Sequence, residues 1–310
     1  MKFSNYLFFF GIVAFLSCGE TPKNKPIAKD ESSMIEGFWK RTGMVQFVNG
    51  VPVDTLYYAN GELDPPGKDF IQIKAFLDGN IFWIMNNHNS KSPWKGSMGG
   101  YGKFKLEKDT ITEFMSHATG DMAVYMKNLK EEQKTSSVPF KFGYTLSDKN
   151  YVQIQNPNEE GIAMAEYYEK MPNLSKSKLD GVWKRSYEIQ FVNGVAVDTT
   201  SVPSDVILDT KIIKDGYFIF QVDRTKLSGD DPTKPQFGGT GAFGEVDYSN
   251  GNMKEYAQFG SGNWLLDTLP RSIVGYVGVK FYDDDTFIQI TKDTLGQNLA
   301  GRGVVYRRIK

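Results

Sequence analysis

The residues able to do chemistry are few. His88 and His117 are the only histidines, both in the first half of the chain, and Cys18 is the only cysteine, so neither a Ser-His-Asp arrangement nor a histidine-based zinc site can occur in both halves. No Gly-x-Ser-x-Gly elbow is present. Gly99-Gly100-Tyr101-Gly102 lacks the Lys-Ser/Thr that would follow in a phosphate-binding loop, and it reads instead as close strand packing or a bulge. What remains is charge at strand spacing. Alternation from Trp39 places Arg41 on the same face, and alternation from Trp183 places Arg185 and Tyr187 there. Glu113, Met115 and His117 share one face of a later segment, as do Glu255 and Phe259. An unpaired charge inside a sheet structure is costly, so an inward Arg41–Glu113 pair and an inward Arg185–Glu255 pair are expected. Three readings stay open: a structural ion pair, a polar anchor for a ligand head group, or a parity that points these groups outward.

These residues come in two sets because the chain is duplicated. Ile35–Thr55 and Leu179–Thr199 agree at 13 of 21 positions. The parallel continues through Lys74–Trp83 against Lys211–Phe220, and Gly99–Phe104 against Gly238–Phe243. It then runs through Glu113-Phe114 against Glu255-Tyr256, Tyr151–Ile154 against Phe287–Ile290, and Ala165–Tyr168 against Gly303–Tyr306. A period near 140 residues is domain-sized, too long for a solenoid repeat. Two domains follow, 34–174 and 175–310, joined through Pro172–Lys178.

Each copy reads as strands. Asn49-Gly50, Asp78-Gly79, Asn193-Gly194, Asp215-Gly216 and Asn250-Gly251 are tight-turn dipeptides between apolar runs. Phe70–Phe76 and Val274–Phe281 are aromatic and β-branched runs of strand length. Ile162–Met171 looks helical alone, but its strand-like counterpart, Arg302–Ile309, argues for a strand in both copies. The one expected helix is 121–132, where Met122, Met126 and Leu129 share a face. The fold class is all-β: two tandem antiparallel domains of many short strands with closely spaced turns, each a barrel or a sandwich, with at most one short helix.

The N-terminus sets the compartment. Met1-Lys2 is positive, Tyr6–Leu16 is nearly unbroken apolar sequence, and Ser17 precedes Cys18, the layout of a secretory signal. Phe15-Leu16-Ser17-Cys18 resembles the lipobox of bacterial lipoproteins, which implies a signal peptide over 1–17, acylation of Cys18 and a membrane anchor. Residues 18–33 carry almost nothing apolar and read as a flexible tether. The resemblance implies an envelope protein, an outer-membrane lipoprotein facing the periplasm. A net charge of −1 and a pI near 6.2 provide no field for gathering phosphates, so nucleic acid is set aside as a partner.

Gly37-Phe38-Trp39 and Gly181-Val182-Trp183 resemble the G-x-W motif that opens the first strand of lipocalins and their calycin relatives. The resemblance implies barrels closed at one end, with Gly37 and Gly181 letting the chain cross the floor and Trp39 and Trp183 plugging it. A basic residue of the last strand would then cover the tryptophan, Arg307 or Arg308 in the second domain, whereas the first domain has only Glu169-Lys170 there. Trp83 and Met85, and in the second copy Phe220 and Val222, would line the interior beside the charges. Apolar walls with one polar anchor suit a small hydrophobic or amphiphilic ligand; the competing expectation is a barrel packed solid. Trp94 and Trp264, near loops, read as local packing. No cofactor and no metal are expected. The functional expectation is a non-enzymatic ligand binder, with an assembly lipoprotein that holds an envelope protein partner as the alternative. A carboxylate enzyme would need two acids facing across a cleft, which alternation does not establish.

Overall fold

In the computed structural model, residues 31–59, 62–64, 70–87, 96–120, 122, 138–192, 195–204, 206–224, 240–262, 274–292 and 299–310 are described. A five-residue helix, α1 (Glu31–Ile35), leads into the first barrel. It occupies the stretch where the sequence suggested the tether's last residues. The strands of this half are β1 (Gly37–Val48), β2 (Val51–Ala59), β3 (Glu62–Asp64), β4 (Phe70–Leu77), β5 (Asn80–Asn87), β6 (Gly96–Glu107), β7 (Thr110–Gly120), β8 (Val138–Leu146), β9 (Asn150–Gln155) and β10 (Ile162–Lys170). The second half contains β11 (Gly181–Val192), β12 (Val195–Ser201), β13 (Val206–Lys214), β14 (Tyr217–Arg224), β15 (Thr240–Ser249), β16 (Asn252–Gly262), β17 (Val274–Asp283), β18 (Thr286–Lys292) and β19 (Leu299–Arg308).

Two closed eight-stranded antiparallel barrels result. In the first, β1 pairs with β10 on one side and with β4 on the other, closing the ring β1-β4-β5-β6-β7-β8-β9-β10. In the second, β11 pairs with β19 and β13 in the same way. The outer halves of β1 and β11 stay paired with β10 and β19 on one side and pair on the other with β2 and β12, which lie outside the rings. Closure satisfies the backbone groups that an open edge would expose. The chain turns where the sequence says it should: Asn49-Gly50, Asp78-Gly79, Asp215-Gly216 and Asn250-Gly251 all have positive φ at both positions, as two-residue turns matched to strand twist require. Asn193-Gly194 lies outside the described residues. The ambiguous 162–171 segment is strand β10, as its counterpart β19 indicated. Of the expected helix at 121–132 only Met122 is described, and it is helical.

Each barrel has its own interior core, and a third core joins them. Phe38, Ile73, Leu77, Phe82, Ile84 and Tyr101 on the outside of the first barrel pack with Val182, Ile212, Tyr217, Ile219, Phe243 and Phe259 on the outside of the second. Phe38 lies 5.5 Å from Tyr217 and 5.8 Å from Phe243 between ring centroids. This shared core explains why β4 is apolar along nearly its whole length rather than alternating: it is buried on both faces. Among the described residues no helix is long and apolar enough to cross a membrane.

Candidate functional site

The floor of each cup is built from the repeated glycine and tryptophan. Trp39 and Trp183 are fully buried, and their indole N–H groups donate to the carbonyls of Ile35 (2.6 Å) and Leu179 (2.7 Å). Register places Lys170 opposite Trp39 and Arg308 opposite Trp183. The Lys170 ammonium lies 5.1 Å from the Trp39 ring and the Arg308 guanidinium 4.1 Å from the Trp183 ring. Arg308, not Arg307, is therefore the covering base of the second barrel, and Lys170 serves in the first. The glycines are required: Gly37 and Gly181 have φ of +121° and +155°. A Cβ at Gly181 would also fall 1.9 Å from Arg308 Nη1.

Above the floor the polar residues form two tiers. At the height of the tryptophan, Lys74 Nζ donates to Glu113 Oε1 (2.7 Å) and Gln153 Oε1 (2.6 Å), and the Tyr151 hydroxyl also donates to Gln153 Oε1 (2.8 Å). The second barrel repeats it: Lys211 Nζ reaches Glu255 Oε1 at 2.6 Å and Gln289 Oε1 at 3.3 Å. One residue pair higher, Arg41 contacts Gln72 (2.6 Å) and Glu166 (3.1 Å), while the Tyr168 hydroxyl donates to Glu166. Arg185 at the equivalent height binds Asp209 at 2.9 Å and also Glu188, which the exposed Arg302 contacts too.

The direct Arg41–Glu113 and Arg185–Glu255 pairs expected from alternation do not form. The four residues do face the interiors, but on different tiers, and two lysines take the glutamates. Lys74, Lys211, Gln153 and Gln289 were the missed residues. Their signal was present: each is a polar residue kept at the same place of a repeated apolar strand. The arginine's partners moved between strands in the two copies. Glu166 has Val304 as its counterpart, and Gln72 and Met44 have Asp209 and Glu188, so each interior still gains its carboxylates.

Bulges decide the remaining positions. Thr42 and Ser186 are extra residues in the pairing of β1 with β10 and of β11 with β19. Past the bulge the parity reverses, so Glu188 turns inward opposite Val304, while Tyr187 sits opposite Val305 on the outer face. Tyr187 is therefore not an interior residue. Likewise Ser116 in β7 and Gln258 in β16 are extra residues opposite Tyr101/Gly102 and Phe243/Gly244. Glu113 and Met115 point inward as expected, but His117 and Phe259 lie beyond the bulge and face outward. His117 lies 6.0 Å from the Tyr101 ring, and Phe259 packs 5.4 Å from Phe243 in the shared core.

Both bulges need their glycines, because a Cβ at Gly102 or Gly244 would lie 2.0 or 2.1 Å from the carbonyl oxygen of Phe114 or Tyr256. This corrects the repeat alignment by three residues, matching Gly102 with Gly244 and Tyr101 with Phe243. Gly100 then corresponds to Ala242. A Cβ at Gly100 would come within 2.5 Å of Trp83 Nε1, whereas Ala242 faces the smaller Phe220: a larger ring in one copy is accommodated by a missing methyl opposite.

Trp83, Met85, Phe220 and Val222 all take inward positions by register. Trp83 is opposite Lys74, Met85 opposite Gln72, Phe220 opposite Lys211 and Val222 opposite Asp209. In the first barrel Phe70 and Met85 form a small apolar cluster with Met98, and Trp83 packs against both this cluster and the floor core; the Arg41 guanidinium lies 5.1 Å from the Phe70 ring. Electrostatics follow the burial. Burial pushes the Glu113 carboxyl up despite Lys74. Burial would raise Glu166 too, but Arg41 and Lys74 outweigh it and hold it low. Burial opposes the charge on Lys211, yet Glu255 and Tyr306 keep its ammonium above the usual range. Burial drives the Tyr306 phenol up to about 12. His117 is held low by burial and by Lys184.

Cys18, the tether up to residue 30, His88, Trp94 and Trp264 lie outside the described residues. No family profile matches the sequence and no curated protein does. Among solved structures the chain is similar to a protein of unknown function of the DUF3598 family from Nostoc punctiforme PCC 73102. The identity is 8%, the match covers 91% of this chain and 100% of the other, and the TM-score is 0.23.

Proposed function

We propose that the chain is a lipid-anchored protein of the bacterial envelope, related in fold to lipocalins, whose first barrel holds a small hydrophobic or amphiphilic molecule without transforming it. The observation that carries this reading is a second apolar cluster above the floor core with a buried arginine against it. Below, Trp39, Phe76, Tyr151 and Tyr168 fill the floor. Above, Phe70 and Met85 form a cluster with Met98, Trp83 packs against both this cluster and the floor, and Arg41 lies against the Phe70 ring. Apolar walls with a buried arginine beside them suit an apolar chain that ends in a polar head group. Native mass spectrometry of the gently purified protein tests it. A co-purifying adduct on the natural protein that disappears in Met85→Trp, with the melting temperature kept, is the expected result; a bare chain in both is the contrary one. Incorporation of labelled fatty acid that is lost in Cys18→Ser tests the anchor.

A second reading, an assembly lipoprotein holding a protein partner, is supported by the two hairpins β1–β2 and β11–β12. Val51, Val53, Val192, Val195 and Val197 are 52–64% exposed, and they lie in the most closely repeated segment of the chain. Crosslinking from Val53 and Val197 in intact cells separates the readings, because a ligand cup without a partner yields no discrete protein adduct.

A further inference from the structure

The duplication supplies an internal control for the outer face near the floor. Across β4, β1, β10 and β9 of the first barrel, register aligns Ile73, Lys40, Glu169 and Asn150. Across β13, β11, β19 and β18 of the second it aligns Thr210, Lys184, Arg307 and Thr286. The first barrel thus sets a lysine opposite a glutamate. The second sets two exposed cations directly opposite one another, at a spacing of about 5 Å between Cβ atoms, where like charges destabilise a sheet. Neither cation has an ion-pair partner among the described residues. The field of Lys184 reaches His117 of the first barrel.

Beside this pair lies a cavity of about 490 Å³, a volume within the usual range for small-molecule sites. Lys184, Ser186 and Arg307 border it with Val202, Val206 and Ile309. Arg185, Asp209 and Arg308 also touch it, but Arg185 and Asp209 neutralise each other at 2.9 Å and Arg308 is held over Trp183. Thr210, next to Lys184 in the row, is fully buried, and its hydroxyl has no hydrogen-bond partner. A repelling pair and a partly apolar hollow therefore coincide in the barrel where the carboxylate of the other copy has been replaced.

We propose that this hollow is an anion site, in which Lys184 and Arg307 clasp the phosphate, sulfate or carboxylate group of a small molecule while Val202, Val206 and Ile309 cover a short apolar part. The site belongs to the second barrel and is independent of the ligand cup of the first. A bound oxyanion bridges the two cations and turns their repulsion into attraction. Ser186 adds a hydroxyl donor.

Isothermal titration calorimetry on the full-length protein in nonionic detergent tests the site with n-butyl phosphate, inorganic phosphate and n-butanol. Both phosphates should bind and butanol should not. A preference of tenfold or more for butyl phosphate would identify an organic anion with an apolar tail, and equal affinities a free oxyanion. Lys184→Gln should weaken binding at least tenfold, and Lys40→Gln in the first barrel should leave it unchanged. Arg307→Glu reproduces the Lys40–Glu169 arrangement, so it should fold, melt at a higher temperature than the natural protein, and bind neither phosphate. Failure of the natural protein to bind either phosphate, or undiminished binding by Arg307→Glu, would overturn the proposal.

Discussion

Replacing Lys74 with methionine tests whether the lower tier is a closed ion pair rather than two independently solvated groups. Lys74 and Glu113 are 3% and 4% exposed, and at 2.7 Å their attraction is about 6 kcal/mol with an effective dielectric constant near 20. Desolvation of the two ions offsets most of that, so the pair as a whole adds little net stability. Removing one partner is different. Lys74→Met leaves Glu113 buried without its counter-ion, and a loss of about 3–5 kcal/mol at pH 7 is expected. Gln153 is less affected, since the Tyr151 hydroxyl still donates to it.

The pH dependence distinguishes this cause from simple loss of packing. Burial already pushes the Glu113 carboxyl up, and without Lys74 it rises further, so the variant folds with Glu113 neutral while the unfolded chain keeps it ionised near neutral pH. A carboxyl raised in the folded state favours folding below its unfolded pKa, and that contribution is lost as pH rises toward the folded value. Lowering the pH from 7 to 5 should therefore return up to about 2.7 kcal/mol of the loss, about 1.4 per pH unit. Guanidinium unfolding followed by circular dichroism at both pH values measures it. The double variant Lys74→Met/Glu113→Leu should lie within about 2 kcal/mol of the natural protein and lack the extra pH dependence. A single variant that loses under about 1 kcal/mol at pH 7, or as much at pH 5 as at pH 7, would refute the buried-pair account.

Three further outcomes are expected. Arg308→Ala removes a cation over the Trp183 ring and a 2.6 Å hydrogen bond to the Asp180 carbonyl, a loss of about 2–4 kcal/mol; Lys170→Ala, at 5.1 Å from Trp39, should lose less, both read as melting temperatures. Gly244→Ala forces a Cβ to within 2.1 Å of the Tyr256 carbonyl oxygen and should cost about 2–3 kcal/mol, whereas Gly143→Ala, with nothing nearer than 3.7 Å, should leave the unfolding midpoint almost unchanged. Alkaline titration should destabilise the second barrel. Burial pushes the Tyr306 phenol up to about 12, above the ordinary 10, and the Lys211 ammonium is also raised, so both favour folding below pH 10 and their contributions fall away above it. Tyr306 accounts for about 3 kcal/mol of that change, and Tyr306→Phe should flatten it.

Much of the architecture was legible because turns and repeats are local. Asn-Gly and Asp-Gly pairs fix where strands end, and the second copy settled 162–171 where one copy misled. The site was only half legible. Counting by twos from Trp39, Trp183, Glu113 and Glu255 holds until an extra residue enters the strand. Tyr187, His117 and Phe259 each lie immediately beyond Ser186, Ser116 or Gln258, and so each was assigned the wrong face. For two of these bulges the clue was on the neighbouring strand, in Gly102 and Gly244, whose missing side chains admit the bulged backbone. The ion pairing was harder to read because several arrangements satisfy the same requirement. An inward arginine needs a carboxylate within reach, and a closed barrel offers that place on several neighbouring strands at once.

That freedom shows which features of the two copies are held and which drift. The floor and the lysine tier are kept residue for residue: tryptophan, covering base, lysine, glutamate and glutamine recur at matched positions. The arginine tier keeps its charge balance but not its sequence. On the outer row near the floor even the balance is lost, since Glu169 has Arg307 as its counterpart. Within a buried tier, a changed carboxylate must be replaced from another strand, because an uncompensated charge there would outweigh much of a domain's marginal stability. An exposed cation pair costs far less and persists without compensation. The closed lower tier is thus the part of each barrel least free to change, and the residues that differ between the copies, above the tier and on the outer face, are where the two barrels can differ in what they bind.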